Sequence, residues 1–290
     1  MMQAARILVG MCIAVSVGCA SSHRGAKPDQ WQVALQQSSE PARSDLAYLM
    51  AHTPREELDR LGPDRALHHA AMMRAAWENA PWREDVDEAL WRAAVLPPTN
   101  VTEACEDWCD VLTARLADVA TDTTEVESTV RQLNAAIGDT LGVRYHPTKR
   151  RAPDQGPLET MESGWSSCTG LSILLADACR TRGIPARLAG TPLWIDRSGN
   201  HTWVEVWADG RWHHVESADA NSWDSAWFDA KAAQADASDP MHRIYAVMPD
   251  GPCVFPMSWD LQRSDIRGVD VTARYAARES GVGSLVPKEQ

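Results

Sequence analysis

The sequence has 290 residues, of which 44% are hydrophobic and 23% are charged, and its formal net charge is −12 at pH 7. This length is sufficient for one large domain or two modest ones, each with a proper hydrophobic core. The acidic balance argues against the basic surface by which proteins bind DNA or RNA, so we expect no nucleic-acid partner.

The first eighteen residues have the composition of an export signal. Arg6 is the only charged residue, residues 7–17 are mostly apolar, and the small residues Gly18, Cys19 and Ala20 follow. An apolar run of this length is too short to span a membrane as a helix and is typical of a signal peptide. We therefore predict a signal peptide at residues 1–18.

The segment from Ser16 to Cys19 resembles a bacterial lipobox, in which the cysteine is lipidated and becomes the mature N-terminus. The polar residues that follow are typical of a flexible tether, which we place at 19–40. The resemblance implies an exported lipoprotein of the cell envelope that is anchored to the membrane through Cys19. The alternative is ordinary cleavage after Ala20, which would give a secreted protein.

Residues 41–142 carry the periodicity of helices. The apolar side chains between Val126 and Leu141 recur every three or four positions, as they do on one face of a helix. Another helix is predicted to begin at Pro63, because proline is favoured in the first turn. We therefore predict a helical N-terminal region at 41–142.

The periodicity changes in the second half of the chain. We predict a helix at 171–182 and strands at 186–195, 200–207 and 212–216. Asp209-Gly210 joins the last two strands and is typical of a two-residue hairpin turn. A helix followed by antiparallel strands indicates an α+β core, placed at 143–250, with a C-terminal extension at 251–290 that holds a strand-like stretch at 269–275.

Cys168 is the first candidate for chemistry. It stands directly before the apolar helix, where the positive end of the helix dipole lowers the pKa of a thiol and favours the thiolate. Taken alone, a cysteine in this position is more often a buried core residue. The choice between the two depends on its partners.

Two later segments supply those partners. His201 begins a predicted strand, on the same face as Trp203 and Glu205. The next strand, which the hairpin pairs with the first, ends at Glu216. Cross-strand pairing can place a carboxylate beside the imidazole, which completes the series of nucleophile, base and orienting acid.

These residues resemble the transglutaminase-like superfamily, which includes transglutaminases, bacterial peptidases and peptide N-glycanases on a papain-like core. The resemblance covers about residues 140–230, and the region from Trp82 to Trp108 looks like the helical lead-in of a bacterial subgroup. The matching positions are Cys168, Leu171, Leu175, Arg182-Gly183-Ile184-Pro185-Ala186-Arg187, His201, Trp203-Val204-Glu205-Val206, Gly210, Trp212 and Glu216. The resemblance implies a transglutaminase-like core, in which a helix packs on an antiparallel sheet, after a helical N-terminal region. It also implies that Cys168 is the nucleophile and His201 its base.

The third member of the triad has two candidates. In the superfamily an acid stands four positions after the hairpin tryptophan, which is Glu216 here, whereas the bacterial subgroup has an acid three positions further on, which is Asp219. Glu216 is favoured because it is in phase with the strand. By analogy with an upstream tryptophan in some relatives, Trp165 would shield the thiolate or line the oxyanion site, and plain packing is the alternative.

The resemblance implies a cysteine hydrolase or acyl transferase that acts on amide bonds of a peptide or protein substrate through a thioester. Hydrolysis is favoured over transamidation, because secreted bacterial relatives are more often peptidases. The alternative is a catalytically inactive binding or assembly module of the envelope on the same fold. We expect no cofactor and no metal, since Cys105 and Cys109 lack two further zinc ligands. A metal-dependent hydrolase that uses the pair His213-His214 is the least favoured hypothesis.

The lipid anchor predicts how the protein partitions. Wild-type protein should enter the detergent phase after Triton X-114 separation, whereas Cys19→Ser should stay in the aqueous phase, because the variant has no cysteine to lipidate. Equal partitioning of the two proteins would rule out the lipobox interpretation and leave cleavage after Ala20 as the better account.

Overall fold

The computed structural model describes residues 29–276. The predicted signal peptide, the lipidation site Cys19 and residues 277–290 lie outside the described residues. Within the described part of the chain, no helix is both long and apolar enough to cross a bilayer.

Helices dominate the first half and strands the second. The helices are α1 Gln30–Gln37, α2 Ala42–His52, α3 Arg55–Leu61, α4 Pro63–Glu78, α5 Glu88–Ala94, α6 Cys109–Arg115, α7 Val126–Asp139, α8 Pro157–Ser163, α9 Cys168–Arg180, α10 Asp229–Ala232 and α11 Thr272–Ala276, with a 3-10 turn at Arg83–Asp85. The strands are β1 Arg144–Tyr145, β2 Trp165–Ser166, β3 Ala186–Thr191, β4 His201–Ala208, β5 Arg211–Val215, β6 Tyr245–Val247, β7 Cys253–Val254 and β8 Arg267–Asp270.

The core consists of α9 packed against an antiparallel sheet of six strands in the order β5-β4-β3-β6-β8-β7. Every residue of α9 after Cys168 is buried, so this helix is covered on all sides. The predicted hairpin joins β4 to β5, and both of its turn residues have positive φ, +50° at Asp209 and +73° at Gly210, as a type I′ turn requires. The α+β fold class with a helical N-terminal region is confirmed.

The helical region and the sheet share one hydrophobic core, which includes Trp77, Leu133 and Leu174. Arg180 at the end of α9 donates to the carbonyl oxygens of Ala94 at 3.3 Å and of Pro97 at 3.0 Å. These contacts join α9 directly to the helical region.

The predicted tether extended too far. Residues 30–37 form α1, and Trp31 in that helix is completely buried. The indole N–H of Trp31 donates to Asp59 of α3 at 2.9 Å. A large aromatic side chain stabilises the fold when it is buried, so the folded body includes α1, which begins at Gln30, eleven residues before the predicted boundary at 41.

The boundary between core and extension at residue 250 was also wrong. Strand β8 pairs with β6 in the middle of the sheet, so the fold needs residues beyond 250. The buried carboxylate of Glu205 on β4 accepts hydrogen bonds from Arg274 and Tyr275 of α11. A buried carboxylate needs such partners, and the sequence supplies them from what was predicted to be an extension.

Three local predictions also need correction. Strand β3 ends at Thr191 rather than at residue 195, and the stretch 269–275 is divided between β8 and α11. Helix α9 begins at Cys168 itself instead of after it.

Candidate active site

Helix α9 presents the Cys168 thiol at its first residue. Ser167 caps the helix, because its side-chain oxygen accepts the backbone N–H of Gly170 at 3.0 Å. A Cβ atom at Gly170 would lie 2.1 Å from the Oγ of Ser166, so a larger residue there would have to displace this serine hydroxyl. The backbone N–H of Cys168 has no partner among the described hydrogen bonds and remains available at the positive end of the helix.

His201 begins β4 and lies between the thiol and a carboxylate. Its Nε2 is 2.7 Å from Oε2 of Glu216, and its ring lines the same cavity as the Cys168 thiol, close enough for each of these two groups to shift the pKa of the other. Because Glu216 occupies Nε2, Nδ1 is the ring nitrogen left for the sulfur. The structure thus brings together the predicted nucleophile, the predicted base and one of the two predicted acids.

Glu216 reaches His201 diagonally across the hairpin. The last pair of the β4–β5 ladder is Val204 with Val215. Glu216 directly follows β5, so it lies opposite Trp203 and diagonal to His201. Diagonal neighbours lie within reach of a long side chain, and the extra methylene of glutamate relative to aspartate suits this distance.

A buried asparagine from the helical region fixes the turn that follows Glu216. Asn134 of α7 donates to the carbonyl oxygens of Glu216 at 2.8 Å and of Asp219 at 2.9 Å. Its amide oxygen accepts the N–H of Ala218, whose φ of +62° is unusual for a residue with a side chain. The backbone N–H of Glu216 donates to the Oγ of Ser222 at 2.7 Å.

Buried hydroxyl groups hold α9 against β4. Thr169 and Thr202 are joined by their hydroxyl oxygens at 3.1 Å, and Ser172 donates to the carbonyl oxygen of Thr202 at 3.2 Å. Ser172 also contacts the hydroxyl of Ser217 at 3.0 Å, next to Glu216. These hydroxyl groups are buried, and each finds its hydrogen-bond partner in the protein rather than in water. The hydrogen bonds therefore help to fix the distance between the thiol and the imidazole.

The electrostatics favour an ion pair of thiolate and imidazolium. Burial by itself raises the pKa of the Cys168 thiol, but the hydrogen bond and charge of His201 and the backbone N–H of Thr202 together bring that pKa below its usual value. Burial also opposes the charged form of His201. The thiol and Glu216 more than offset this cost and raise the pKa of His201 to about 9.

Aromatic side chains surround the imidazole. The ring centroid of His201 lies 4.8 Å from that of Trp227, 5.2 Å from Phe228 and 5.9 Å from Trp203. Phe228 and Trp203 are fully buried, whereas Trp227 is 61% exposed. The exposed indole therefore forms part of the surface that a substrate meets beside His201.

Two cavities meet at Cys168. One of about 320 Å³, the His201 cavity, is lined by Leu171, His201, Glu216, Ser217 and Trp227 together with the shared residues Tyr145, Cys168 and Asn200. The other, about 370 Å³, is the Arg150 cavity, lined by Arg150, Ser167, Thr169, Ser258, Trp259 and two prolines together with the same three shared residues. The half-buried thiol thus lies at the junction of a cleft with room on both sides.

The second predicted acid does not reach His201. Asp219 is exposed, and its carboxylate accepts the backbone N–H of Asn221 at 3.0 Å within its own turn. The chain has left the ladder at Val215, and the turn held by Asn134 directs this carboxylate away from the imidazole.

Trp165 does not line either cavity. Its ring packs edge-on against His146 at 5.3 Å between centroids, and the ammonium of Lys149 lies 4.4 Å above it. The side chain belongs to strand β2, which pairs with β1, and so the packing alternative applies. Of the two alternatives for Trp165, these contacts favour packing over a role in the pocket or oxyanion site.

The other histidine and cysteine candidates are occupied or remote. His213 contacts Asp224 at 2.9 Å and His214 contacts Asp229 at 2.9 Å, and both histidines are buried. Cys105 and Cys109 are buried free thiols, and only Cys109 lies in α6. The described residues include one cluster with metal-ligand spacing, formed by His68, Cys109 and Asp110 in the helical region.

Sequence reasoning missed three residues that shape the cleft: Tyr145, Trp227 and Trp259. Trp227 and Trp259 lie on irregular segments, where no periodicity predicts the direction of a side chain. Asn134 was also missed, because its position in α7 looks like any other polar residue of an amphipathic helix.

Removing the charge of Glu216 should lower the pKa of His201. In Glu216→Gln we expect that pKa to fall from about 9 toward its ordinary value of 6.5, since a neutral amide stabilises the imidazolium less than a carboxylate does. NMR titration of the His201 ring measures the shift, and Asp219→Asn is the matched control that should leave it unchanged. If only Asp219→Asn moved the titration, the assignment of Glu216 would be wrong.

Of three comparisons with known proteins, two found a similarity and one found none. Residues 113–217 match the family model described as the transglutaminase-like superfamily. The chain is also similar to a solved structure of a candidate cysteine protease from Cytophaga hutchinsonii, at 18% identity and a TM-score of 0.37 over 50% of this chain and 47% of that chain, so it spans about half the length of that protein. No curated protein matches the chain significantly. Over residues 113–217 the chain is therefore similar to a domain of the transglutaminase-like superfamily.

Proposed function

We propose that this protein is an exported cysteine hydrolase that cleaves amide or peptide bonds through a thioester on Cys168. The observation that supports the proposal most strongly is that Cys168, His201 and Glu216 line one cavity, in which the imidazole lies 2.7 Å from the carboxylate. A thiol that served only as packing would need neither an imidazole at its sulfur nor a carboxylate behind that imidazole.

In the first step, the thiolate of Cys168 attacks the carbonyl carbon of the substrate and the C–S bond forms. The carbonyl oxygen gains negative charge, and the unpartnered backbone N–H of Cys168 is suited to stabilise it. His201 then donates its Nδ1 proton to the departing nitrogen, the C–N bond breaks, and the amine leaves. Glu216 holds the ring by Nε2 throughout and stabilises its positive charge.

In the second step an acceptor attacks the thioester. His201, now neutral, removes a proton from the acceptor, and the thiolate leaves as the new bond to the acyl carbon forms. Water as acceptor gives hydrolysis, and an amine gives transamidation. We favour hydrolysis because the cleft is open and Trp227 beside His201 is largely exposed, so water has ready access.

We further propose that the enzyme acts in the cell envelope, anchored through lipid on Cys19. This proposal is supported by the sequence of the first thirty residues, and a peptide or protein in the envelope is the substrate class it implies.

The proposal predicts an abnormal pH dependence for alkylation of Cys168. Because the pKa of the thiol is lowered, the rate with iodoacetamide should stay high as the pH falls below about 8.5, the ordinary pKa of a cysteine. His201→Ala should move the profile back toward that value. Peptide mass spectrometry resolves the rate at each site.

Cys253 provides an internal control in the same sample. It is half-buried, and burial raises the pKa of its thiol, so it should react only at high pH. If Cys168 titrated near 8.5 in both the wild type and His201→Ala, the protein would be an inert module on this fold.

A further inference from the structure

The Arg150 cavity is positively charged, although the protein as a whole has a net charge of −12. Arg150 is the one cation among its lining residues, and none of these residues is a carboxylate. The other side of the cleft differs, since the His201 cavity contains Glu216, which is already engaged by the imidazole. A group bound next to Arg150 therefore meets positive charge with no competing acid in the cavity wall.

Arg150 lies in a run of three consecutive cations, and its neighbours are engaged elsewhere. Lys149 lies 4.4 Å above the ring of Trp165, and Arg151 pairs with Glu162 at 2.6 Å. Arg150 makes a single hydrogen bond, from Nε to the carbonyl oxygen of Pro147 at 3.1 Å. Within residues 29–276 its guanidinium has no ion-pair partner, so both terminal nitrogens are available to a ligand.

The loop that carries Arg150 is fixed relative to the nucleophile. The hydroxyl of Ser167, the residue before Cys168, donates to the carbonyl oxygen of Pro153. The backbone N–H of Arg151 donates to the side chain of the buried Gln155 at 3.0 Å. The loop therefore holds Arg150 in the wall of the cavity that Cys168 also lines, and a guanidinium with two free nitrogens matches the two oxygens of a carboxylate.

We propose that the Arg150 cavity is an anion subsite, in which Arg150 binds a carboxylate carried by the acyl portion of the substrate. The assignment to the acyl portion rests on the proposed function. His201 must deliver its proton to the departing nitrogen, so the leaving group occupies the His201 cavity. The acyl portion then extends into the cavity on the other side of Cys168, and the substrate class is a peptide with an acidic residue on the acyl side of the cleaved bond.

A pair of small alkylating reagents tests the subsite without knowledge of the substrate. Iodoacetate carries a carboxylate and iodoacetamide a neutral amide, and both transfer the same two-carbon group to the sulfur with loss of iodide. At about pH 10 a thiol is ionised and arginine remains charged. His201, with its pKa of about 9, is then mostly neutral, so the ratio of the two rates at Cys168 reports on Arg150.

We expect Arg150→Gln to lower the iodoacetate-to-iodoacetamide ratio at Cys168 by about tenfold or more, the size of effect expected for losing a charged hydrogen bond. Arg151→Gln is the matched control and should keep the wild-type ratio, because Arg151 is paired with Glu162 outside the cavity. Arg150→Lys keeps the positive charge but loses the planar pair of terminal nitrogens, so it should give an intermediate ratio. Equal ratios in wild type and Arg150→Gln, with both proteins folded by thermal melting, would overturn the proposal.

Peptides then test the link to the substrate. Two libraries of acetylated tetrapeptide coumarylamides, with either Glu or Gln fixed in turn at each acyl-side position, are offered to the full chain. Wild type should turn over one of the Glu sets faster than its Gln counterpart, and Arg150→Gln should lose that preference. An equal rate at every position would overturn the assignment to the acyl side. If no peptide is cleaved while the alkylation ratio still depends on Arg150, the proposed function fails and the anion subsite stands.

Discussion

The fixed contact between the start of α9 and the start of β4 is the constraint on which the site depends. It places a thiol from a helix near an imidazole from a strand. The two elements are distant in sequence, since Thr169 and Thr202, which join them, are 33 residues apart. Buried hydroxyl groups of α9 form hydrogen bonds with Thr202 and Ser217, so hydrogen bonds as well as apolar packing hold the helix against the strand. Buried hydrogen bonds of this kind contribute on the order of 1 kcal/mol each, and breaking one leaves an unsatisfied group that costs more. The hydroxyls therefore fix the geometry more than they raise the overall stability.

The rest of the fold supports this contact from both sides. Asn134 in the helical region holds the turn after Glu216, and Arg180 joins the far end of α9 to the carbonyl groups of the same region. On the opposite side, Glu205 of β4 is neutralised by Arg187 at 2.8 Å and by residues of α11. Partners of buried charges in residues 113–217 thus come also from segments before and after that range, namely the carbonyl groups of Ala94 and Pro97 and the side chains of α11.

Much of the site was predictable because its elements are local in sequence. The apolar helix after Cys168, the Asp209-Gly210 turn and the strand that begins at His201 each carry their signal within a few residues. The register of a two-residue hairpin follows from its turn, so the placement of Glu216 near His201 could be expected.

The remaining features depend on contacts that are distant in sequence. Burial of Trp31 and the pairing of β8 with β6 extended the fold past both predicted boundaries. The direction of Asp219 depends on a hydrogen bond from Asn134, and the position of Trp165 on its packing against His146. No periodicity within the segments concerned records these contacts, because each depends on a partner in another part of the chain.

The central claim is that Cys168 forms a covalent thioester with an acyl group, and intact-mass spectrometry of the quenched protein tests it most directly. After brief incubation with a peptide-amide library and acid quenching, the wild type should gain the mass of an acyl group. That group should map to Cys168 and be released by hydroxylamine, which cleaves thioesters. Cys168→Ala should gain no such mass. An unchanged wild-type mass across the library, or an adduct that persists in Cys168→Ala, would contradict this account.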